Sequence, residues 1–142
     1  MAGQVVRVIP RTTLKISSSV GQGQTQILAS VGRIDTSQYK EGTLMVRLHS
    51  LSVTNSPAVT VTVKSDGYTA EDPGQDFIES TELASITKTG LTDATAPYFE
   101  TKDLLAGTQA LGGMAYVEVE GTQASSAAEQ TIELSVDIAL KE

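Results

Sequence analysis

The sequence predicts an all-β protein, a single-domain antiparallel β-sandwich or jelly roll with at most one short helix. Eight or nine short β-prone runs alternate with turn residues, a spacing typical of sandwiches and jelly rolls. The C-terminal run alternates apolar and polar residues without a break. The length of 142 residues is that of one ordinary domain and suffices to bury a core without a metal or disulfide.

Residues 131–140 give the strongest signal for a strand. Apolar side chains share one face of this run, and the alternating polar positions can meet water on the other. A period of two suits a strand of an antiparallel sheet, because helical neighbours recur every three to four positions. We therefore expect the fold to be organised around this strand. Its apolar residues are Ile132, Leu134, Val136, Ile138 and Leu140.

The N-terminal half contains further β-prone runs. Residues 4–9 stop at Pro10, which a central strand would not tolerate, so we assign residues 1–15 to an N-terminal arm or edge strand and 16–142 to the β-sandwich domain. Residues 43–53 and 58–64 flank the turn Asn55-Ser56-Pro57 and are predicted to form a β-hairpin. The apolar face of the first run changes sides near Ser50, which predicts a β-bulge or a crossing between two sheets.

The C-terminal half is predicted to contain strands and one short helix. Turn residues fill 65–76, and β-prone pieces follow at 77–78 and 82–88. Residues 98–101 are short and extended. Residues 102–110 are the only plausible helix, limited to about two turns by Gly107 within it and Gly112-Gly113 after it. Residues 114–120 alternate again, and a polar link joins them to the last strand.

Composition excludes several kinds of chemistry. The chain has no cysteines, so it cannot form a disulfide, a thiolate zinc site, an iron–sulfur cluster or a cysteine nucleophile. Residues 1–9 are too short and too polar for a signal peptide, and no apolar stretch approaches the roughly 20 residues that span a bilayer. We expect a soluble protein that is made in the cytoplasm without export and has no membrane partner and no cofactor.

Charge is unevenly distributed along the chain. Residues 1–64 carry a net charge of +5 and residues 65–142 a net charge of −12, which together give −7. A net acidic chain is a poor ligand for a phosphate backbone, so nucleic acid is not an expected partner. The asymmetry has two interpretations: a sheet in which the two halves interleave, or complementary faces between neighbouring copies or partners.

The N-terminal segment carries the candidate partner-binding residues. Arg7, Arg11 and Lys15 all precede the first acid, Asp35, and β-prone apolar residues lie between them. Such a segment can lie on its own domain, or it can cross to a neighbouring copy and add a strand to that copy's sheet. The second arrangement is our hypothesis for function.

Residues that could carry chemistry occur without the partners that catalysis requires. His49 is the single histidine and has no G-x-S-x-G elbow, so a surface or cross-strand role is the better interpretation. Glu118 and Glu120 lie opposite the apolar face of their strand and are expected to be solvated. Four acids in one loop could bind a hard cation such as calcium, but their spacing is not that of an EF-hand and acidic turns explain them equally well. These weak metal candidates are Asp66, Glu71, Asp72 and Asp76.

Three stretches resemble a known group of proteins. Residues 43–64, the acidic loop ending in Asp72-Pro-Gly-Gln-Asp-Phe77, and the late pair 111–121 and 131–140 resemble small jelly-roll proteins of tailed-phage virions, the head-decoration or cement proteins. The resemblance implies a non-enzymatic virion accessory protein that sits on a capsid lattice as a homo-oligomer and braces it. The alternative function is a carbohydrate-binding module, whose architecture is similar. Such modules usually expose Trp or several aromatics, whereas this chain has no Trp and four Tyr.

Overall fold

The computed structural model describes residues 3–17, 24–36, 39–65, 81–104, 114–123 and 129–141. These residues form two four-stranded antiparallel sheets that pack as a β-sandwich, so the predicted all-β class is confirmed. No helix among the described residues is long and apolar enough to cross a membrane. The strands are β1 (Gln4–Ile16), β2 (Thr25–Asp35), β3 (Glu41–Ser52), β4 (Ala58–Ser65), β5 (Thr81–Lys88), β6 (Tyr98–Leu104), β7 (Met114–Thr122) and β8 (Gln130–Lys141).

The strand order is that of a jelly roll. Sheet A has the order β1-β8-β3-β6, and sheet B has the order β2-β7-β4-β5. Every pairing joins one of the first four strands to one of the last four. The basic N-terminal half and the acidic C-terminal half therefore alternate within each sheet. This arrangement matches the interleaved interpretation of the charge asymmetry, because opposite charges meet across neighbouring strands.

The core lies between the two sheets and is almost entirely aliphatic. Strand β8 supplies the five apolar residues predicted for it, and all five are buried. Each such side chain stabilises the fold by roughly 1.5–3 kcal/mol before entropy is counted. The other fully buried large side chains are Ile16, Leu44, Leu48, Val61 and Leu91, with the amides Gln123 and Gln130.

The polar face of β8 differs from the expectation. Ser135 and Asp137 were expected to meet water, but both are buried on the outer face of sheet A. The reason is that β8 is a central strand, flanked by β1 and β3. Long side chains on the flanking strands cover the short polar side chains of β8. The alternation of residues within one strand cannot indicate this cover.

Strand β3 confirms one prediction and contradicts another. Its register with β8 shifts between Leu48 and Ser50, so the predicted bulge is present where the apolar face changes sides. The predicted β3–β4 hairpin is wrong, because β3 lies in sheet A and β4 in sheet B. The turn between them contains Asn55 and Ser56 with φ of 57° and 51°, the left-handed region that non-glycine residues adopt at a cost. It carries the chain from one sheet to the other.

Strand β1 lies at an edge of sheet A and pairs with β8 of the same chain from Gln4 to Ile16. Its register shifts twice, between Arg7 and Ile9 and between Ile9 and Thr12, so Pro10 lies among bulges at an edge. Proline is tolerated there because an edge strand need not donate on both sides. Exchange of β1 with a neighbouring copy stays a hypothesis.

The predicted helix at 102–110 is wrong for its first three residues, which belong to strand β6. Residues 105–110 lie outside the described residues. A 3-10 turn at Asp93–Thr95 is the one helical element among the described residues. Strand β6 lacks a continuous apolar face, because Glu100 and Lys102 lie between Tyr98 and Leu104 on the same face of the strand, so the sequence indicated it only weakly.

Candidate interaction surfaces

The three candidate partner-binding residues of β1 each pair with an acid in the same chain. Arg7 Nε lies 2.8 Å from Asp137 Oδ1, and Arg7 Nη2 lies 3.2 Å from Oδ2, a bidentate contact. Arg11 Nε donates to Glu133. Lys15 Nζ lies 3.7 Å from Glu129 Oε1. Because all three basic side chains stay more than half exposed, they could also contact a partner, and that role stays a proposal.

Among these pairs, the one between Arg7 and Asp137 differs in its burial. The Asp137 side chain is only 9% exposed, whereas that of Arg7 is 58% exposed. The hydrogen bond to Asp137, followed by the Coulomb attraction, raises the pKa of Arg7 above its ordinary value. The guanidinium satisfies a carboxylate that would otherwise be buried without a partner. This pair therefore has a structural role in fixing β1 against β8.

His49 has the cross-strand position that the sequence predicted. Its Nε2 lies 2.9 Å from Ser135 Oγ on the neighbouring strand β8. A nucleophile and base in this arrangement still need a carboxylate that orients the histidine. Asp137 on the same strand is engaged by Arg7, and the described contacts of His49 include no acid. The pair therefore does not form a triad among the described residues.

The acidic loop does not enter the described structure. Asp66, Glu71, Asp72 and Asp76 all lie outside the described residues, so their calcium-binding role stays untested. Within the described ranges, no group of three or more His, Asp or Glu side chains is arranged to hold a metal ion.

The glutamates of β7 do not behave alike. Glu118 Oε2 lies 3.6 Å from Lys64 Nζ, and both side chains are largely buried on the outer face of sheet B. The expectation that both glutamates are solvated is therefore wrong for Glu118, because Lys64 from β4 covers it. Lys64 Nζ also lies 5.9 Å from the ring centroid of Tyr116. Tyr116 is only 6% exposed and cannot offer its face to a sugar.

A buried amide pair closes one end of the sandwich. Gln123 follows β7 and Gln130 begins β8, and both are almost fully buried. Gln130 Nε2 donates to Gln123 Oε1, and the backbone N–H of Thr54 donates to Gln130 Oε1 at 2.7 Å. Gln123 Nε2 has no hydrogen-bond partner. Sequence reasoning missed this pair, because two polar residues beside a polar link gave no sign of burial.

Exposed apolar side chains mark the edges of the sheets. Large apolar residues exposed by half or more occur on edge strands in the described part of the chain: Val5 (64%) on β1, Ile27 (59%) on β2 and Phe99 (50%) on β6. Exposed aromatic and aliphatic groups at unpaired edges are typical of sites where another chain docks. Phe99 also makes a cation–π contact, since Arg47 Cζ lies 4.5 Å from its ring centroid.

Strand β6 also carries polar contacts toward sheet B. The Tyr98 hydroxyl donates to Glu100, and this hydrogen bond, with a smaller contribution from burial, raises the pKa of Tyr98. Lys88 Nζ of β5 lies 4.8 Å from the Tyr98 ring centroid. Lys102 Nζ donates to the Ser85 carbonyl oxygen at 3.1 Å and so ties β6 to β5 across the side of the sandwich.

Comparison with known proteins identifies the fold and no family. No protein-family model matches the chain, and no curated protein matches it either. The VP2 subviral particle protein of infectious bursal disease virus superposes with a TM-score of 0.56 at 16% identity, over 98% of this chain and 32% of that one. The chain of the T13 particle of the same virus gives 0.56 at 12% identity, over 98% and 31%.

The chain thus spans about a third of the length of these two viral chains. At this level of identity the likeness establishes a shared jelly-roll fold, of the kind that these capsid proteins contain, and no activity. The jelly-roll fold that the resemblance implies is therefore confirmed, at the level of the fold alone.

Proposed function

We propose that the protein is a non-enzymatic structural component of a virion, an accessory subunit that decorates or stabilises a capsid through contacts between copies and with the capsid. The observation that carries this proposal is the β1-β8-β3-β6 and β2-β7-β4-β5 topology, which superposes on viral capsid protein over 98% of the chain. Jelly rolls also serve as lectin and cupin domains, so the fold alone does not determine the function.

The surface supports an assembly role over catalysis. Its exposed large apolar residues lie at sheet edges, where a neighbouring chain can pair, and the cations of β1 lie in a row on the outer face of sheet A. Two polar pairs of residue types that can carry chemistry, His49 with Ser135 and Glu118 with Lys64, instead join neighbouring strands of the fold. In this proposal the protein acts in the virion and needs no cofactor, nucleic acid or membrane.

The carbohydrate-binding alternative depends on tyrosines, and the described ones do not form a platform. Tyr116 is buried, the Tyr39 hydroxyl donates to Gln4 Oε1 at 2.6 Å, and Tyr98 is held between Lys88 and Glu100. Tyr68 lies outside the described residues. A sugar-binding face needs several aromatic rings open on one side, which this arrangement does not provide.

The test is to look for the protein in particles. Virus-like particles from cells that produce the protein are purified by density gradient, and the protein is quantified by mass spectrometry and located by electron microscopy. We expect it in the particle fraction at a fixed ratio to the major capsid protein, with density on the capsid lattice. Recovery only in the soluble fraction, at no fixed ratio, would contradict the proposal. Binding on a glycan array would favour the alternative.

A further inference from the structure

Strand β6 is the edge strand best suited to pair with another strand. Its register with β3 runs without a break from Gly42↔Leu104 to Leu48↔Tyr98. The other three edge strands have irregular registers: β1 and β2 each shift twice, and β5 shifts once. Bulges discourage added strands, so an unbroken edge is the one that accepts them most readily. No described strand pairs with the outer side of β6.

The sequence of β6, Tyr-Phe-Glu-Thr-Lys-Asp-Leu, is complementary to itself when reversed. If two copies pair antiparallel about a two-fold axis at Thr101, Glu100 of each lies opposite Lys102 of the other. The same register places Phe99 opposite Asp103, and Tyr98 opposite Leu104. Directly opposed side chains of antiparallel strands have Cβ atoms about 4.5–5.5 Å apart, close enough for ion pairs.

We propose that β6 is a homodimer interface, in which two copies pair antiparallel about Thr101 and join their A sheets into one continuous sheet. The contact is isologous, since both partners use the same surface. It goes beyond the proposed function, because a two-fold contact can form in solution whether or not the protein joins a larger particle.

The in-chain contacts of β6 leave its charged groups able to bind a second copy. The Glu100 carboxylate accepts one hydrogen bond, from Tyr98, and can accept more. Lys102 donates one hydrogen bond, to the Ser85 carbonyl, and retains two further donors. Each ion pair would occur twice in the dimer. The charges of these two ion pairs cancel, although each chain carries a net charge of −7.

On the outer face, the dimer supplies an acid to Arg47. This guanidinium stacks on Phe99, and its described contacts include no carboxylate. Asp103 has one described contact, a hydrogen bond from Thr43 Oγ1 at 3.2 Å. In the proposed register the Asp103 of one copy lies beside the Phe99 and Arg47 of the other. Arginine held flat on an aromatic ring presents its fork of donors in a fixed direction, which suits a carboxylate.

Self-pairing through the opposite edge of sheet A is disfavoured by its charges. Strand β1 carries Arg7, Arg11 and Lys15 on one face, so two copies of it would oppose like charges. Pro10 also removes one backbone donor from that edge. A β1–β1 contact is therefore disfavoured, which leaves β6 as the edge of sheet A better suited to self-pairing.

The first test uses the absence of cysteine from the chain. Thr101→Cys puts a single thiol on the proposed two-fold axis, where opposed Cα atoms lie about 4.5–5.5 Å apart, within the range of a disulfide. We expect mild oxidation to convert this variant to a covalent dimer on non-reducing gels. Thr13→Cys, an exposed position on β1, is the matched control and should form no covalent crosslink. Equal crosslinking of both variants, or none at Thr101→Cys, would overturn the proposal.

The second test is a charge exchange measured by sedimentation velocity over a range of concentrations. We expect the full chain to reach twice its mass of 14.9 kDa. Glu100→Lys and Lys102→Glu should each weaken the dimer by at least about tenfold, because like charges then face each other twice. The double exchange should restore dimerisation. Glu120→Lys, the same charge change on sheet B, should have no effect.

Three outcomes would overturn the proposal: a monomer at every concentration, a double exchange that stays monomeric, or a Glu120→Lys effect as large as that of Glu100→Lys. Circular dichroism confirms that each variant is folded. The outcome is separate from that of the particle test. A dimer that never enters particles contradicts only the proposed function. If β6 variants that are monomeric enter particles as efficiently as the unmodified protein, only a role of the dimer in assembly is contradicted.

Discussion

The buried pair of Gln123 and Gln130 predicts an asymmetric response to mutation. Gln130→Met keeps the length and approximate volume of the side chain but removes its amide. Gln123 then has no partner at either Oε1 or Nε2, and the Thr54 N–H loses its acceptor. Each newly unpaired buried group costs about 1–3 kcal/mol, and Thr54 is near enough to the surface for water to replace its acceptor. We therefore expect Gln130→Met to lower the free energy of unfolding by about 2–3 kcal/mol.

The reciprocal variant should be much milder. Gln123→Met removes the Nε2 group that already lacks a partner, and in exchange it leaves Gln130 Nε2 without one. One unpaired donor replaces another, so the change should stay within about 1 kcal/mol. The double variant removes both amides, and we expect it to be less damaging than Gln130→Met alone, with a coupling energy of about 1–2 kcal/mol.

Urea unfolding followed by far-ultraviolet circular dichroism measures all three variants, and the slopes should not differ if the transition stays two-state. In thermal unfolding, the same loss should lower the Tm of Gln130→Met by several degrees. The reasoning would be refuted if the two single variants were equally damaging. Strictly additive effects in the double variant would refute it as well, because the two amides would then not be partners.

Three further changes test other parts of the structure. Val136→Asp places a carboxylate without a partner in the core, and the free-energy cost of burying it is comparable to the whole stability of a domain. We therefore expect no soluble folded protein. The control Ser52→Asp changes an exposed position and should fold normally. Ser56→Gly relieves a left-handed backbone at a non-glycine residue and should raise the Tm; a lower Tm would show that the serine side chain has a role that the conformation does not explain. Tyr98 should ionise at higher pH than an ordinary tyrosine in ultraviolet titration, and Glu100→Gln should reduce that difference. Because the folded-state pKa is raised, the hydrogen bond stabilises the fold below about pH 10 and is lost as the pH rises through the folded-state pKa.

Alternation along single strands predicted burial well wherever one face meets the core. The five apolar residues of β8 are all buried, and the bulge near Ser50 lies where the apolar face of β3 changes sides. These features are local, since they depend only on the strand's own side chains and the period of a pleated sheet. The fold class followed from them.

The sheet to which each strand belongs could not be predicted in the same way. Strands β3 and β4 are joined by a short turn and alternate like a hairpin, yet they enter opposite sheets. The burial of Asp137 likewise depends on Arg7, which lies 130 positions away in the sequence. Strand β6 was recognised only as a short extended piece because an edge strand does not need a continuous apolar face. The candidate dimer interface therefore required the three-dimensional register as well as the sequence.

The jelly-roll connectivity also has a consequence for the kinetics of folding. Of the six strand pairings, only β4 with β5 joins strands that are consecutive in the chain. Strand β1 must wait for β8, so during synthesis the first strand leaves the ribosome long before its partner exists. A topology dominated by pairings between distant strands folds slowly, because the entropy cost of closing long loops arises before the stabilising contacts form. Until β8 is synthesised, the apolar faces of β1 and β3 stay exposed and prone to aggregation. A nascent chain that stalls before residue 130 cannot form a stable sheet A, because β8 joins β1 to β3.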